Sequence, residues 1–67
     1  MFEYRLQIYN KETNERLDNV WFNSLMQVYK YLVNYYEFKL PFNRFKEIYN
    51  SNFYLYDKYQ VVIKAYR

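Results

Sequence analysis

The chain has 67 residues, ten of them basic and seven acidic, and it contains no cysteine, histidine or glycine. The absence of cysteine and histidine excludes disulfides, thiolate or imidazole metal ligands, and the side chains that most often act as nucleophile or general base near neutral pH. The absence of glycine excludes the glycine-rich loops that cradle phosphates in nucleotide-binding proteins. A chain of this length has room for a single domain, residues 1–67, and we expect neither enzymatic activity nor a cofactor.

Aromatic residues are the most unusual component: eleven Tyr, six Phe and one Trp make up 27% of the chain. Each buried aromatic side chain removes about 150–250 Å² from water, so a few of them can build the core of a small domain. The full set is more than one such core accommodates. We therefore expect part of it to lie at the surface, where it would contact a partner or a second copy of the chain.

The net charge of +3 is concentrated in the C-terminal half, because residues 30–67 contain seven basic and three acidic residues. This excess favours an anionic partner but is low for a dedicated nucleic-acid binder. No apolar run approaches 18 residues and the first four residues alternate, so we expect neither a membrane span nor a signal peptide, and a cytoplasmic protein. Frequent Asn, Lys, Tyr, Phe and Ile, which AT-rich codons encode, indicate a phage or a low-GC genome.

The N-terminal segment predicts a β-hairpin. Residues 2–9 alternate between apolar and polar side chains, as a half-buried strand does. The apolar face consists of Phe2, Tyr4, Leu6 and Ile8, and the polar face of Glu3, Arg5, Gln7 and Tyr9. A polar turn precedes a second, antiparallel strand over residues 15–22. The apolar residues of this strand do not share one alternation, which predicts a β-bulge near Asp18-Asn19.

The next segment predicts an amphipathic helix. It begins at Asn23 or Ser24, and Ser24 with Gln27 matches a capping box. Apolar residues then recur every three or four positions, at Leu25, Val28, Tyr29, Leu32, Val33 and Tyr36. The helix should end near residues 37–38, because Pro41 disfavours helical dihedrals at the residue before it.

Pro41 itself suits the first turn of a second, shorter helix over about residues 41–50. Its apolar side chains are Phe42, Phe45, Ile48 and Tyr49, and its other residues face solvent.

Residues 53–66 predict a second hairpin, and its register decides which side chains reach the core. A two-residue turn at 57–58 would divide the apolar residues between both faces of the sheet. A three-residue turn at 57–59 unites them, and we prefer it for that reason. It pairs Leu55 with Val61 and Phe53 with Ile63, adds Ala65 to the core face, and gives an outer face of Tyr54, Tyr56, Gln60, Val62, Lys64 and Tyr66.

The predicted order β-β-α-α-β-β defines an α+β fold, a four-stranded antiparallel sheet with both helices packed on one face. This arrangement leaves the other face of the sheet available to a partner. The residues that we predict to bind the partner there are Arg5, Tyr9, Trp21, Tyr54, Tyr56, Lys64 and Tyr66.

Three functions compete for this face. Tyr, Trp and Arg are enriched at the hot spots of protein interfaces, which favours a protein partner. Aromatic rings on an open sheet also stack the bases of single-stranded DNA or RNA, and the same face could close a homodimer as a structural subunit. Tyrosine lines solvated strands through β-propensity alone, which explains single positions better than the whole set. We favour a phage-type inhibitor or modulator that binds a host nucleic-acid-handling or defence protein.

A second basic-aromatic patch is predicted on the helices, where two tyrosines are four residues apart. The residues are Lys30, Tyr31, Tyr35, Lys39, Arg44 and Lys46. It would suit phosphates or an acidic protein, although an ordinary solvated helix face explains it better. The sequence has no loop of alternating acidic ligands, so no metal site is expected.

Overall fold

The computed structural model describes residues 3–66 as one four-stranded antiparallel sheet and two helices. In chain order the elements are β1 (Tyr4–Asn10), β2 (Arg16–Phe22), α1 (Leu25–Tyr36), α2 (Phe42–Ile48), β3 (Phe53–Leu55) and β4 (Tyr59–Ala65). The strands lie in the order β2-β1-β4-β3, so β2 and β3 are the edges. The predicted α+β fold and element order are confirmed. Phe2, predicted for the core face, lies outside the described residues.

The core lies between one face of the sheet and both helices. Its buried side chains are Leu6, Ile8, Val28, Leu32, Phe38, Phe45, Leu55, Val61 and Ile63. Phe45 of α2 is fully buried, and its ring centroid lies 5.5–6.5 Å from five other aromatic rings. Each such ring pair contributes about 0.5–1.5 kcal/mol beyond the area that it buries. Aromatic packing therefore supplies stability that a short chain lacks in core volume.

A β-bulge decides which residues of β2 face the helices. The register of β1 against β2 shifts between Ile8 and Tyr9, where Leu17 is the extra residue. The bulge thus lies next to the predicted position at Asp18-Asn19. Beyond it, the even-numbered residues of β2 share the helix-facing side, so Asp18 points toward α1 rather than toward solvent.

Helix α1 is capped at both ends without glycine. The Ser24 hydroxyl accepts a hydrogen bond from the Gln27 N–H at 3.3 Å, and the Gln27 side chain accepts one from the Asn23 N–H at 2.9 Å. The first bond is that of the predicted capping box, whereas the second reaches the residue before the N-cap instead of the N-cap itself. At the other end Glu37 adopts a left-handed conformation, with φ 53° and ψ 38°, and its N–H bonds to the carbonyl of Leu32. A residue with a Cβ is disfavoured in this conformation, which glycine usually occupies at a helix C-terminus.

The face of α1 that meets the sheet differs in part from the predicted stripe. Val28 and Leu32 are fully buried as predicted, but Val33 is exposed and Tyr31 is half-buried. The difference arises because the hydroxyl of Tyr31 reaches Asp18 on β2, which turns this side of the helix toward the sheet.

Helix α2 is shorter than predicted. It begins at Phe42, and Pro41 is its N-cap rather than a residue of its first turn. The Pro41 carbonyl accepts hydrogen bonds from the N–H groups of Arg44 and Phe45, both at 3.0 Å.

The register predicted for the C-terminal hairpin is wrong by two residues. Phe53 pairs with Val61 and Leu55 with Tyr59, because the three-residue turn spans residues 56–58 instead of 57–59. A shift of two residues keeps every strand side chain on its predicted face, so the apolar residues of the hairpin still share one face of the sheet. Tyr59 joins the core face of β4.

Candidate partner-binding surface

The face of the sheet opposite the helices carries polar, basic and aromatic side chains; we call it the outer face. Alternation along the four strands places there Arg5, Gln7, Tyr9, Arg16, Asn19, Trp21, Tyr54, Gln60, Val62 and Lys64. Gln7 at its centre is only 7% exposed, which shows that the longer side chains around it form a continuous layer. The outer face is therefore a packed surface with its own internal contacts.

Arg5 is the most ordered cation of the outer face. Its Nε donates a hydrogen bond to the side-chain oxygen of Asn19 at 2.8 Å. Its guanidinium carbon lies 5.4 Å from the ring centroid of Trp21, within the range of a cation–π contact. These two contacts fix the planar guanidinium on the sheet, whereas Lys64, directly opposite Arg5 on β4, is exposed.

Two aromatic rings meet over β1 beside Arg5. Trp21 comes from β2 and Tyr66 follows β4, yet their ring centroids are 5.1 Å apart with an interplanar angle of 42°. A backbone hydrogen bond of 2.6 Å from the Tyr66 N–H to the Glu3 carbonyl extends the β1–β4 pairing to this point. The rings remain 40% and 39% exposed, so they form an apolar ridge at this end of the face.

The opposite end of the outer face is built around Tyr54 on the edge strand β3. Its ring is 54% exposed, and the ammonium of Lys11 lies 5.3 Å from the ring centroid. Lys11 also forms an ion pair and hydrogen bond with Asp57 of the hairpin turn, which raises the pKa of Lys11 above its ordinary value. Tyr9 of β1 is half-buried at the same end of the outer face and lies directly opposite Gln60 of β4.

The outer face brings together most of the residues predicted to bind a partner. They are Arg5, Tyr9, Trp21, Tyr54, Lys64 and Tyr66. Tyr56 is not among them, because the turn begins at this residue with φ 55° and its hydroxyl donates to the Glu37 carbonyl on the helix side. The sequence prediction missed Asn19 and Lys11. Asn19 could have been found, because it lies opposite Gln7 once the bulge is placed at Leu17.

The second patch predicted on the helices does not form one unit. Tyr31 and Tyr35 do stack, with centroids 4.7 Å apart, and Tyr35 is 70% exposed. Among the described residues, however, Arg44 pairs with Glu47 at 3.4 Å, and Lys46 lies over the ring of Phe42. Lys30 and Lys39 are exposed, and neither forms an ion pair or a cation–π contact with the described residues. The geometry is that of ordinary solvated helix faces.

A tyrosine cluster anchors β2 to α1 instead. One carboxylate oxygen of Asp18 accepts hydrogen bonds from the hydroxyls of Tyr31 and Tyr36, the latter at 3.0 Å, and the other oxygen accepts the Asn19 N–H at 3.0 Å. Burial, followed by the hydrogen bond to Asp18 and its charge, raises the pKa of Tyr31 to about 12. The same causes raise the pKa of Tyr36 further above its ordinary value. Phenols with raised pKa values are poor bases and nucleophiles near neutral pH.

Two of the concavities of the described structure lie beside the C-terminal hairpin. One, of about 360 Å³, lies between the end of α1 and the β3–β4 turn and is lined by Tyr35, Tyr36, Glu37, Tyr56, Lys58 and Tyr59. The other, of about 260 Å³, is an apolar groove between the α1–α2 loop and β3. Covalent catalysis requires a nucleophile in contact with a general base. The residues that line these two concavities do not form such a pair.

Residues 3–66 contain no group of three or more acidic side chains placed to hold a metal ion. Nor is either helix of this described part long and apolar enough to cross a membrane. Comparisons with protein-family models, with curated proteins and with solved structures find no significant match to this chain.

Proposed function

We propose that this chain is a non-enzymatic binding protein that docks onto another protein through its outer face. In the same proposal it acts in the cytoplasm of a host cell, as a phage or mobile-element inhibitor or modulator of a nucleic-acid-handling or defence protein. The composition rich in AT-encoded residues supports the phage origin.

One observation carries the proposal: Trp21 contacts both Arg5 and Tyr66 on an exposed sheet face. These are the three residue types with the highest enrichment at interface hot spots. Because the contacts already restrict their rotamers, binding costs less side-chain entropy than it would for free side chains.

The same contact favours a protein over single-stranded nucleic acid. Base stacking requires a ring face that is free to receive the base. The Trp21 ring is instead occupied by Arg5 and by Tyr66, and the ring of Tyr54 by Lys11. Such clusters present ring edges and mixed polar tips, which suit the irregular surface of a protein.

The test is affinity capture with variants matched by residue type. A triple variant, Trp21→Ser with Tyr54→Ser and Tyr66→Ser, removes the exposed rings of the outer face. Tyr35→Ser removes a more exposed ring from the helix side and is the control. A protein that the wild type and the control retain from a host extract is purified, and its affinity for each variant is measured by calorimetry.

We expect the triple variant to bind at least about tenfold more weakly, since loss of one hot-spot side chain costs about 2 kcal/mol. Equal binding by the triple variant and the wild type would contradict the proposal. Light scattering shows whether the wild type is a monomer of 8.7 kDa. If the wild type and the control are dimers and the triple variant is a monomer, the homodimer alternative is supported. Tight, salt-sensitive binding to oligonucleotides would support the nucleic-acid alternative.

A further inference from the structure

Two cations face each other on the central strands, at the end of the outer face that carries the Trp21–Tyr66 ridge. Arg5 and Lys64 are direct cross-strand partners of β1 and β4, so their Cβ atoms are about 5 Å apart. Like charges in this position destabilise a sheet. The ion pairs within residues 3–66 are Lys11 with Asp57 and Arg44 with Glu47, and neither includes this pair. The repulsion therefore persists in the described structure.

The carboxylates of the described strands do not compensate this charge. Asp18, the acidic residue of the strands, faces α1 on the other side of the sheet. Glu3 lies just before β1, two residues from Arg5 and on its side of the sheet, but it is exposed and within 4.0 Å of neither cation. The two positive charges are thus not neutralised within residues 3–66, which leaves them available to an anion supplied from outside.

The guanidinium of Arg5 is arranged for such an anion. Its Nε is already bonded to Asn19 and its plane rests against Trp21, so the terminal nitrogens are left to donate. A guanidinium offers its donors in a fork that matches a carboxylate, and fixing the fork in advance lowers the entropy lost on binding. The Trp21–Tyr66 ridge lies beside it, and a segment bound against this ridge would exclude water from one side of the guanidinium and so strengthen the charge interaction.

We propose that Arg5 and Lys64 bind a carboxylate side chain within an acidic and apolar segment of the partner protein. This inference rests on the proposed function and names the chemistry of the partner. A carboxylate fits better than a nucleic-acid phosphate, because the neighbouring rings contact each other at 5.1 Å and leave no slot for a base. The apolar positions of the segment would lie on the Trp21–Tyr66 ridge.

Trp21 is the one tryptophan of the chain, and its contact with Arg5 makes it a reporter at the site. The probe is a blocked hexapeptide that alternates glutamate and leucine, and the control probe has glutamine in place of glutamate. Tryptophan emission is followed up to about 1 mM peptide, at about 50 and 200 mM salt. We expect saturable binding of the acidic peptide that weakens with salt, and no response to the glutamine peptide.

The variants separate the site from general charge. Arg5→Gln should weaken binding about tenfold and Lys64→Gln about threefold, because the first loses a bidentate partner and the second a point charge. Lys39→Gln makes the same change of net charge in the α1–α2 loop and should leave binding unchanged. Glu3→Gln should strengthen binding about twofold, since it removes a negative charge on the same side of the sheet that repels the carboxylates of the peptide.

No emission change with the acidic peptide, an equal response to both peptides, or wild-type affinity in Arg5→Gln would overturn the inference. Tighter binding of a single-stranded oligonucleotide than of the peptide would overturn it in favour of phosphate. These outcomes would not contradict the proposed function. It would still be supported if Arg5→Gln bound the captured protein as the wild type does and the triple aromatic variant did not.

Discussion

Replacing Asp18 tests the contact that joins the N-terminal hairpin to α1. The carboxylate accepts hydrogen bonds from Tyr31, Tyr36 and the Asn19 backbone, and all of them involve a charged acceptor. Such bonds contribute about 1.5–3 kcal/mol each when buried, and less here because both phenols are half-buried and can reach water in the variant. We expect Asp18→Ala to lower the free energy of unfolding by about 2–3 kcal/mol in total, and Asp18→Asn by about 1 kcal/mol, since the amide oxygen still accepts.

The assay is urea unfolding at neutral pH, followed by circular dichroism. A domain of this size unfolds with a slope of about 1 kcal/mol per M urea, so the midpoint of Asp18→Ala should fall by about 2 M. Glu15→Ala removes an exposed carboxylate from the same hairpin and should change the stability by less than about 0.5 kcal/mol. In the Asp18→Ala background, Tyr31→Phe should cost less than it does in the wild type. A midpoint for Asp18→Ala equal to that of Glu15→Ala would refute the reasoning.

Three further predictions concern helix α1, the loss of stability at high pH and the core. Glu37→Gly should raise the free energy of unfolding by about 1 kcal/mol, because glycine relieves the left-handed C-cap, whereas Asn34→Gly inside the same helix should lower it by about 0.3 kcal/mol in the same urea assay. Burial and Asp18 raise the pKa of Tyr31 from 10.0 to about 12, so this contribution to stability is complete below pH 10 and is lost as the pH rises toward 12. A spectrophotometric titration should show late ionisation of Tyr31 that moves to lower pH in Asp18→Asn, and an unchanged titration would contradict this account. Phe45→Ala should cost about 3–5 kcal/mol and leave much of the chain unfolded, whereas Phe45→Leu should remain folded; a cooperative, wild-type melting curve for the alanine variant would show that the core is not centred on this ring.

The sequence predicted the parts of the fold that depend on local periodicity. The alternation of β1, the capping box of α1 and the union of apolar residues in the C-terminal hairpin each follow from neighbouring residues. Because side chains alternate with a period of two, even the wrong turn position kept the strand residues of β4 on their correct faces. The same property explains why most residues predicted for the outer face lie there.

The failures have one physical cause, which is contact between elements distant in the chain. Tyr56 was assigned to the outer face because the turn was predicted at residues 57–59, the position that unites the apolar residues. The turn instead begins at Tyr56, which takes φ 55°, and its hydroxyl binds the end of α1. Tyr31 was assigned to solvent, but it pairs with Asp18 thirteen residues away. No local pattern reports a hydroxyl that reaches a carboxylate on another element.

The bulged strand β2 also governs how this chain meets its own copies. Beyond the bulge, the peptide groups of Asn19 and Trp21 point away from β1 along the open edge, as the alternating ladder requires. An open edge is a template for intermolecular strand pairing and aggregation. Here Leu17 distorts the edge, and the Asn19 N–H is already bonded to the carboxylate of Asp18. Replacing Asp18 would therefore remove its hydrogen bonds to α1 and also leave the Asn19 N–H at the open edge without this acceptor. The variant should then be both less stable and less soluble.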